Sequence, residues 1–110
     1  MTTINVVRKE GRIIRVEASG HSNYAIIGKD IVCAAISTVL QGTILGLIEV
    51  AKVKTDKAMS DGNLSFSVSD TNISTRHSAD IILETMCVVL KDIARCYPSH
   101  LKLEDSKNVF

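Results

Sequence analysis

The sequence has little that would suit it to nucleic acid or to a disulfide-based scaffold. Its aromatic residues are two Tyr and two Phe in 110 residues, which argues against a platform on which bases stack. The formal net charge is +1, and no one-sided basic stripe is present, whereas nucleic-acid-binding proteins usually carry a basic excess. Three cysteines, an odd number, do not make a disulfide framework, and a reducing compartment would leave them as thiols.

Signals for metal sites, secretion and membranes are also lacking. There is no C-x-x-C pair, so a zinc site would need an unusual set of ligands, and we predict no metal. The N-terminus lacks the charged segment and long apolar run of a secretory signal. No uninterrupted apolar stretch reaches the roughly 20 residues that span a bilayer. We therefore expect a cytoplasmic protein without a direct nucleic-acid or membrane partner.

The length predicts a single domain over residues 1–110, because two cores of half this size would be too small to stand alone. Residues from about 105 to 110 are expected to be a loose C-terminal tail. The 45% apolar content is ordinary for a globular chain and argues against disorder.

Strands are predicted on both sides of a turn at residues 9–11, because the alternation of apolar residues over Arg12–Ser19 has a period of two. Asp61-Gly62 is a strong hairpin signal, and the strand after it alternates apolar residues with serine. Leu101 to Glu104 alternates as well and is predicted to be a last edge strand.

Two helices are predicted. The first, Ile31 to Val53, is apolar on nearly all sides, which indicates burial on most faces. The second starts near Thr75 to Ala79, follows an apolar stripe of three-four spacing, and is closed by Pro98. The predicted order is β-β-α-β-β-α-β, an α+β fold in which a mainly antiparallel sheet carries two helices on one face.

One segment carries residues suited to chemistry. Cys33 falls in the first turn of the first helix, where backbone N–H groups and the helix dipole favour the thiolate, the nucleophilic form of cysteine. His21 ends a strand twelve residues earlier, and a folded-back loop would bring its imidazole to Cys33. Histidine can take the thiol proton and return it to a leaving amine. The predicted catalytic pair is therefore His21 and Cys33.

Two neighbours of the pair each have two possible roles. Asp30 either caps the helix or turns toward His21 and orients its ring. Ser37 lies one turn beyond Cys33 on the same face, where it either forms a hydrogen bond at the site or bonds back to a helix carbonyl.

The loop between His21 and Cys33 is bounded by Gly20 and Gly28, whose backbone freedom suits hinges. Its apolar strip, Tyr24-Ala25-Ile26-Ile27, is expected to pack over a peptide side chain or a dimer partner if the loop is a lid. Alternatively, the strip packs permanently on its own domain.

The remaining cysteines and histidines have ordinary interpretations. Cys87 and Cys96 lie near the apolar stripe of the second helix and are expected in the core. His77 and His100 have polar neighbours and are expected to be solvated.

The segment Gly20-His21, a loop, then Gly28-x-Asp30-Ile31-Val32-Cys33-Ala34-x-x-Ser37 resembles the signature of the ribosomal-processing cysteine proteases. The resemblance covers about residues 2–104. Ser22 stands where the family typically has Ala, and the loop is more apolar than the family's Gly- and acid-rich version.

This resemblance implies a catalytic role for His21 and Cys33 and a site role for Asp30 and Ser37. It also implies removal of a short N-terminal extension from the large-subunit ribosomal protein numbered twenty-seven, with cleavage after an aromatic residue. Some members process phage structural proteins. Family members form homodimers and use no cofactor. The alternatives are a non-catalytic binding module on ribosomes or capsid precursors, and another thiol enzyme such as an acyl transferase.

Overall fold

The computed structural model describes residues 1–20, 31–69 and 72–106. Within them the elements follow in the predicted order, which confirms the α+β class. Their bounds are β1 Thr2–Lys9, β2 Arg12–Ser19, α1 Ile31–Leu45, β3 Thr55–Ser60, β4 Asn63–Val68, α2 Ile73–Cys96 and β5 Leu101–Ser106, with a π-helical turn at Gly46–Val50 directly after α1.

The five strands form one sheet in the order β3-β4-β2-β1-β5. All neighbouring strands are antiparallel except β1 and β5, which are parallel. Strand β5 lies at an edge, as predicted, and β3 lies at the other. The sheet is therefore mixed, with three antiparallel pairs and one parallel pair.

One face of the sheet carries the core. Val6, Val16 and Phe66 stand opposite one another across β1, β2 and β4, and each is at most 1% exposed. The alternate positions hold polar residues such as Asn5, Glu17 and Ser65, which also stand in register. Because successive side chains of a strand point to opposite faces, the helices cover only the apolar face.

Helix α1 is buried along one side only, so the prediction that it is buried on most faces is wrong. Val32, Ile36 and Leu40 lie in the core, whereas Leu45 is 60% exposed and Val50 in the π-helical turn is 76% exposed. A helix that forms the outer layer of a two-layer fold has one face on the sheet and the other toward solvent. Apolar residues all round it therefore do not require burial all round.

The helical segment Ile31–Val50 is more continuous than its interrupted apolar sequence suggests. It has 20 residues and contains an 18-residue window with a mean hydropathy of 2.1, so by length and composition alone it could cross a membrane. A core helix of a globular protein passes the same test. Here the buried side of the segment packs within the hydrophobic core.

Helix α2 begins earlier than predicted, at Ile73. The reason is Asn72, whose side-chain oxygen accepts hydrogen bonds from the backbone amides of Ser74 at 3.0 Å and Thr75 at 3.2 Å. Asparagine is a preferred N-cap because it satisfies amides that have no partner within the helix.

Strand β5 continues through Ser106, so the loose tail predicted from about residue 105 is wrong at Asp105. Arg8 fixes that residue: its Nε donates to Asp105 Oδ1 at 2.7 Å, and its Nη1 donates to Glu84 Oε2 at 2.6 Å. The Arg8 side chain is 13% exposed. These bonds join β1, β5 and α2. Residues 107–110 lie outside the described part of the chain.

Candidate active site

Cys33 is the third residue of α1 and is half-buried. Ser37, one turn later, is also half-buried. Both side chains line a groove of about 190 Å³. The structure therefore places the predicted nucleophile and the predicted supporting serine on one wall of the same groove, at the N-terminal end of the helix.

The helix wall of this groove follows helical spacing. Cys33, Ile36, Ser37, Leu40 and Gln41 all line it. They follow the spacing i, i+3, i+4, i+7, i+8 and so form one face of α1. The wall is apolar at Ile36 and Leu40 and polar at the other three.

The opposite wall comes from the sheet and the β3–β4 hairpin. Ala18, Leu64 and Met59 stand in register across β2, β4 and β3 and line the groove. Met59 is 62% exposed. This row continues the apolar face of the sheet past the end of the core, where it is open to solvent. Among the described residues that line the groove, none is Asp, Glu, Lys or Arg.

Gly20 closes the groove at the end of β2. Its amide donates a hydrogen bond to the Gly62 carbonyl at 2.8 Å, and its φ is +88°. A Cβ at this position would lie 2.5 Å from the carbonyl oxygen of Met1, far inside normal contact distance. Glycine is therefore required here both for the backbone angle and for the space.

Ser37 does not bond back to a helix carbonyl in the described structure. Its Oγ accepts a hydrogen bond from Gln41 Nε2 at 2.8 Å. By contrast, the neighbouring Thr38 Oγ1 donates to the Ala34 carbonyl at 2.8 Å. Of the two roles open to Ser37 from its sequence position, the back-bond is not formed among the described residues, and the role at the site stays a prediction.

Several predicted site residues lie outside the described part of the chain. This applies to the catalytic histidine, the candidate cap or orienter, the second glycine of the loop and the apolar strip, which are His21, Asp30, Gly28, Tyr24, Ala25, Ile26 and Ile27. The pairing of His21 with Cys33, the two roles of Asp30 and the lid therefore stay predictions.

All three cysteines are thiols rather than disulfides. Cys87 is buried, as expected, and burial raises the pKa of its thiol. Cys96 is exposed, so the prediction that it lies in the core is wrong. It is the last residue of α2 and lies on the exposed side of the last turn, whose Ile93 and Ala94 pack against the core. His77 is exposed, as predicted, and His100 is half-buried.

The described residues contain no group of three or more His, Cys, Asp or Glu side chains that could hold a metal ion. The side chains that line the groove include one thiol, four hydroxyls and two amides. These groups suit nucleophilic attack and hydrogen bonding to a substrate.

Comparison with known proteins identifies the family. The sequence profile of the family described as Cysteine protease Prp matches residues 1–102. The chain belongs to the Prp family of cysteine proteases. The ribosomal processing cysteine protease Prp of Staphylococcus aureus is 33% identical over 94% of this chain and 97% of the relative. The Prp of Bacillus subtilis is 30% identical over 83% of this chain and 84% of the relative.

A solved Prp structure has the same fold. The crystal structure of the S. aureus Prp in complex with a covalently linked product peptide superposes with a TM-score of 0.87, at 32% identity, over 96% of this chain and 100% of that chain. The fold and the enzyme class predicted from the sequence are thereby confirmed: the chain is a cysteine protease.

The groove also contains residues that the sequence did not single out as site residues, among them Met59, Leu64 and Gln41. The sequence could have predicted that Gln41 belongs to the site, since it lies four residues after Ser37 and eight after Cys33 and so shares their helix face. It could not have predicted the hydrogen bond between Gly20 and Gly62, because these residues lie far apart in the chain.

Proposed function

We propose that this protein is an endopeptidase in which Cys33 is the nucleophile and His21 is the general base. The observation that carries the proposal is the position of Cys33, in the first turn of α1 at the edge of a mostly apolar groove. The S. aureus relative, whose structure holds a covalently linked product peptide, supports a covalent reaction in this fold.

The chemistry follows from the two side chains. His21 takes the proton of the Cys33 thiol, and the thiolate attacks the scissile carbonyl carbon to form a tetrahedral oxyanion. Collapse of this intermediate breaks the C–N bond, His21 gives its proton to the leaving amine, and a thioester remains on Cys33. Water then hydrolyses the thioester, with His21 as its base.

The proposed substrate is the N-terminal extension of the large-subunit ribosomal protein numbered twenty-seven, with phage structural proteins as further substrates. Cleavage after an aromatic residue suits the groove beside Cys33, which is apolar at Ala18, Ile36, Leu40, Met59 and Leu64. Its volume of about 190 Å³ is adequate for one ring, since a dry cavity of about 150 Å³ accommodates benzene.

We further propose that the protein is a cytoplasmic homodimer that needs no cofactor. Exposed large apolar side chains on the two helices support self-association, because such patches mark interaction surfaces. They are Ile31, Leu45, Ile48, Val50, Ile73, Ile81, Val88 and Val89. Light scattering coupled to gel filtration would detect the dimer, and Val50→Glu should weaken it, whereas Lys57→Glu on β3 should not. A monomeric wild-type protein at micromolar concentration would contradict the homodimer.

The nucleophile is tested with a peptide chloromethyl ketone that carries phenylalanine next to the reactive carbon. Mass spectrometry should find one adduct on Cys33 in the wild-type protein and in a Cys96→Ala control, and none in Cys33→Ala. Cys33→Ala should also abolish cleavage of the ribosomal protein extension, and His21→Ala should reduce it by orders of magnitude. Cleavage close to the wild-type rate in purified Cys33→Ala would exclude this mechanism.

A further inference from the structure

The hydroxyl of Ser37 is oriented differently from the other hydroxyls in the body of the described helices. Thr38, Thr43 and Thr85 each donate to the carbonyl four residues earlier, at 2.8, 2.7 and 2.7 Å. This back-bonding uses the hydroxyl hydrogen within the helix. Ser37 Oγ instead accepts from Gln41 Nε2 at 2.8 Å.

The direction of that bond determines what Ser37 can do. A serine hydroxyl has one hydrogen to donate and two lone pairs with which to accept. Because Gln41 fills one lone pair, the hydrogen of Ser37 stays available for an acceptor outside the helix. Ser37 and Gln41 both line the groove that contains Cys33, so a carbonyl oxygen of a peptide bound in this groove is an acceptor that Ser37 can reach.

We propose that Gln41 is a positioning residue for the protease: it holds Ser37 as a hydrogen-bond donor to a carbonyl oxygen of the peptide beside Cys33. This inference rests on the proposed role of Cys33 as the nucleophile. Gln41 acts through Ser37 and does not itself contact the reacting atoms. The side-chain amide of Gln41 donates to the Ser37 oxygen, and the Ser37 hydroxyl donates its own hydrogen to the peptide.

The expected effect is modest, since Gln41 is exposed and a single net hydrogen bond contributes about 1 kcal/mol. Loss of the hydrogen bond from Gln41 to Ser37 should lower kcat/KM by about three- to tenfold. A glutamate at position 41 should lower kcat/KM further, because an ionised carboxylate only accepts hydrogen bonds. The carboxylate would accept the hydrogen that Ser37 otherwise donates to the peptide.

Three substitutions separate these effects. Gln41→Lys keeps a donor to Ser37 and should retain most of kcat/KM. Gln41→Met removes the contact and should lose about three- to tenfold. Gln41→Glu reverses the bond and should lose the most. A merely structural role of Gln41 would not make a donor at this position more active than an acceptor, so the order of the three kcat/KM values is the readout. The values are measured with one peptide, and thermal unfolding of each variant is measured in parallel.

The same three substitutions in a Ser37→Ala background provide the control, because Gln41 then has no hydroxyl to orient and the three activities should converge. Thr38→Glu, which puts the same charge on α1 outside the groove lining, should not reproduce the loss of Gln41→Glu. Equal activity of the three variants, or an unchanged order without Ser37, would overturn the proposal. Labelling of Cys33 by the chloromethyl ketone in each variant tests the nucleophile separately.

Discussion

The carbonyl oxygen of Gly62 accepts a 2.8 Å hydrogen bond from the amide of Gly20, which joins the tip of the β3–β4 hairpin to the end of β2. Gly20 directly precedes His21, and Gly62 lies in the groove wall. The hairpin that forms one side of the groove is thus hydrogen-bonded to Gly20, the residue directly before the proposed base His21.

Gly20→Ala should therefore impair both stability and cleavage. An alanine would have to adopt φ near +88° and would place Cβ 2.5 Å from the Met1 carbonyl oxygen. Residues held in such conformations cost about 1–3 kcal/mol each. The clash adds to this cost, so we expect a loss in the free energy of unfolding by urea larger than the backbone angle alone would cause. We also expect a fall in kcat, because relief of the clash must move the chain next to His21.

Gly11 provides a matched control for this prediction. Its φ is +81°, but no heavy atom lies within 4 Å of an added Cβ. Gly11→Ala should show the cost of the backbone angle alone and leave kcat unchanged. If Gly11→Ala and Gly20→Ala had equal effects on both quantities, the close approach of Met1 would have no role.

Local signals in the sequence were sufficient to find the elements. Asp61-Gly62 marked the hairpin, and the alternation through Leu64, Phe66 and Val68 marked its second strand, because both patterns depend only on neighbouring residues. The contacts that build the groove depend on segments brought together by the fold. Neither the bond between Gly20 and Gly62 nor the register of Met59 with Leu64 is encoded in one stretch of sequence.

The errors have a similar origin. Apolar residues all round α1 suggested burial on most faces, but the pattern could not reveal how many neighbours the helix would have. The place of Cys96 near an apolar stripe predicts a core position, but Cys96 lies on the exposed side of the last turn of α2, opposite the residues that pack against the core. Asp105 was assigned to a tail because its partner, Arg8, lies at the opposite end of the chain.

The three cysteines should differ in their reaction with iodoacetamide in the native protein. Cys33 should react first, because it lies at the start of a helix and lines an open groove. Cys96 is exposed and should follow. Cys87 should be slowest, since burial raises the pKa of its thiol. Mass-spectrometric mapping over time gives the three rates, and denatured protein is the control in which they should converge. Labelling of Cys87 as fast as Cys33 under native conditions would contradict this order.

Stability should depend on the ionisation of Asp105. The hydrogen bonds from Arg8 hold the pKa of this carboxyl below its usual value of 3.8. The pKa of Asp105 is lower in the folded protein than in the unfolded chain. The carboxylate therefore contributes its full stability at pH values above the unfolded-state pKa, and this contribution is lost as the pH falls through the folded-state pKa. Asp105→Asn should lower the free energy of unfolding by about 1–3 kcal/mol at pH 7, and the difference from wild type should disappear at a pH below the folded pKa.

Glu104→Gln is the control for Asp105. Glu104 lies on the same strand and pairs with Lys102 at 3.6 Å, but both side chains are at least half exposed. Exposed pairs contribute little, so this variant should remain close to wild type in urea unfolding at both pH values. A loss at pH 7 equal to that of Asp105→Asn would show that any charge on β5 has the same effect, contrary to the role assigned to Arg8.

The last prediction concerns the apolar wall opposite α1. Met59 is 62% exposed and lines the groove, so Met59→Ala should change stability little but remove apolar contact with the peptide. Burial of apolar area contributes about 25 cal/mol per Å², and loss of part of a methionine surface should reduce kcat/KM about tenfold for a peptide with phenylalanine before the scissile bond. For the same peptide with alanine there, the loss should be much smaller. Asp56→Ala, on the opposite face of β3, should affect neither. An equal loss on both peptides would mean that Met59 acts on the enzyme itself and not on the bound side chain.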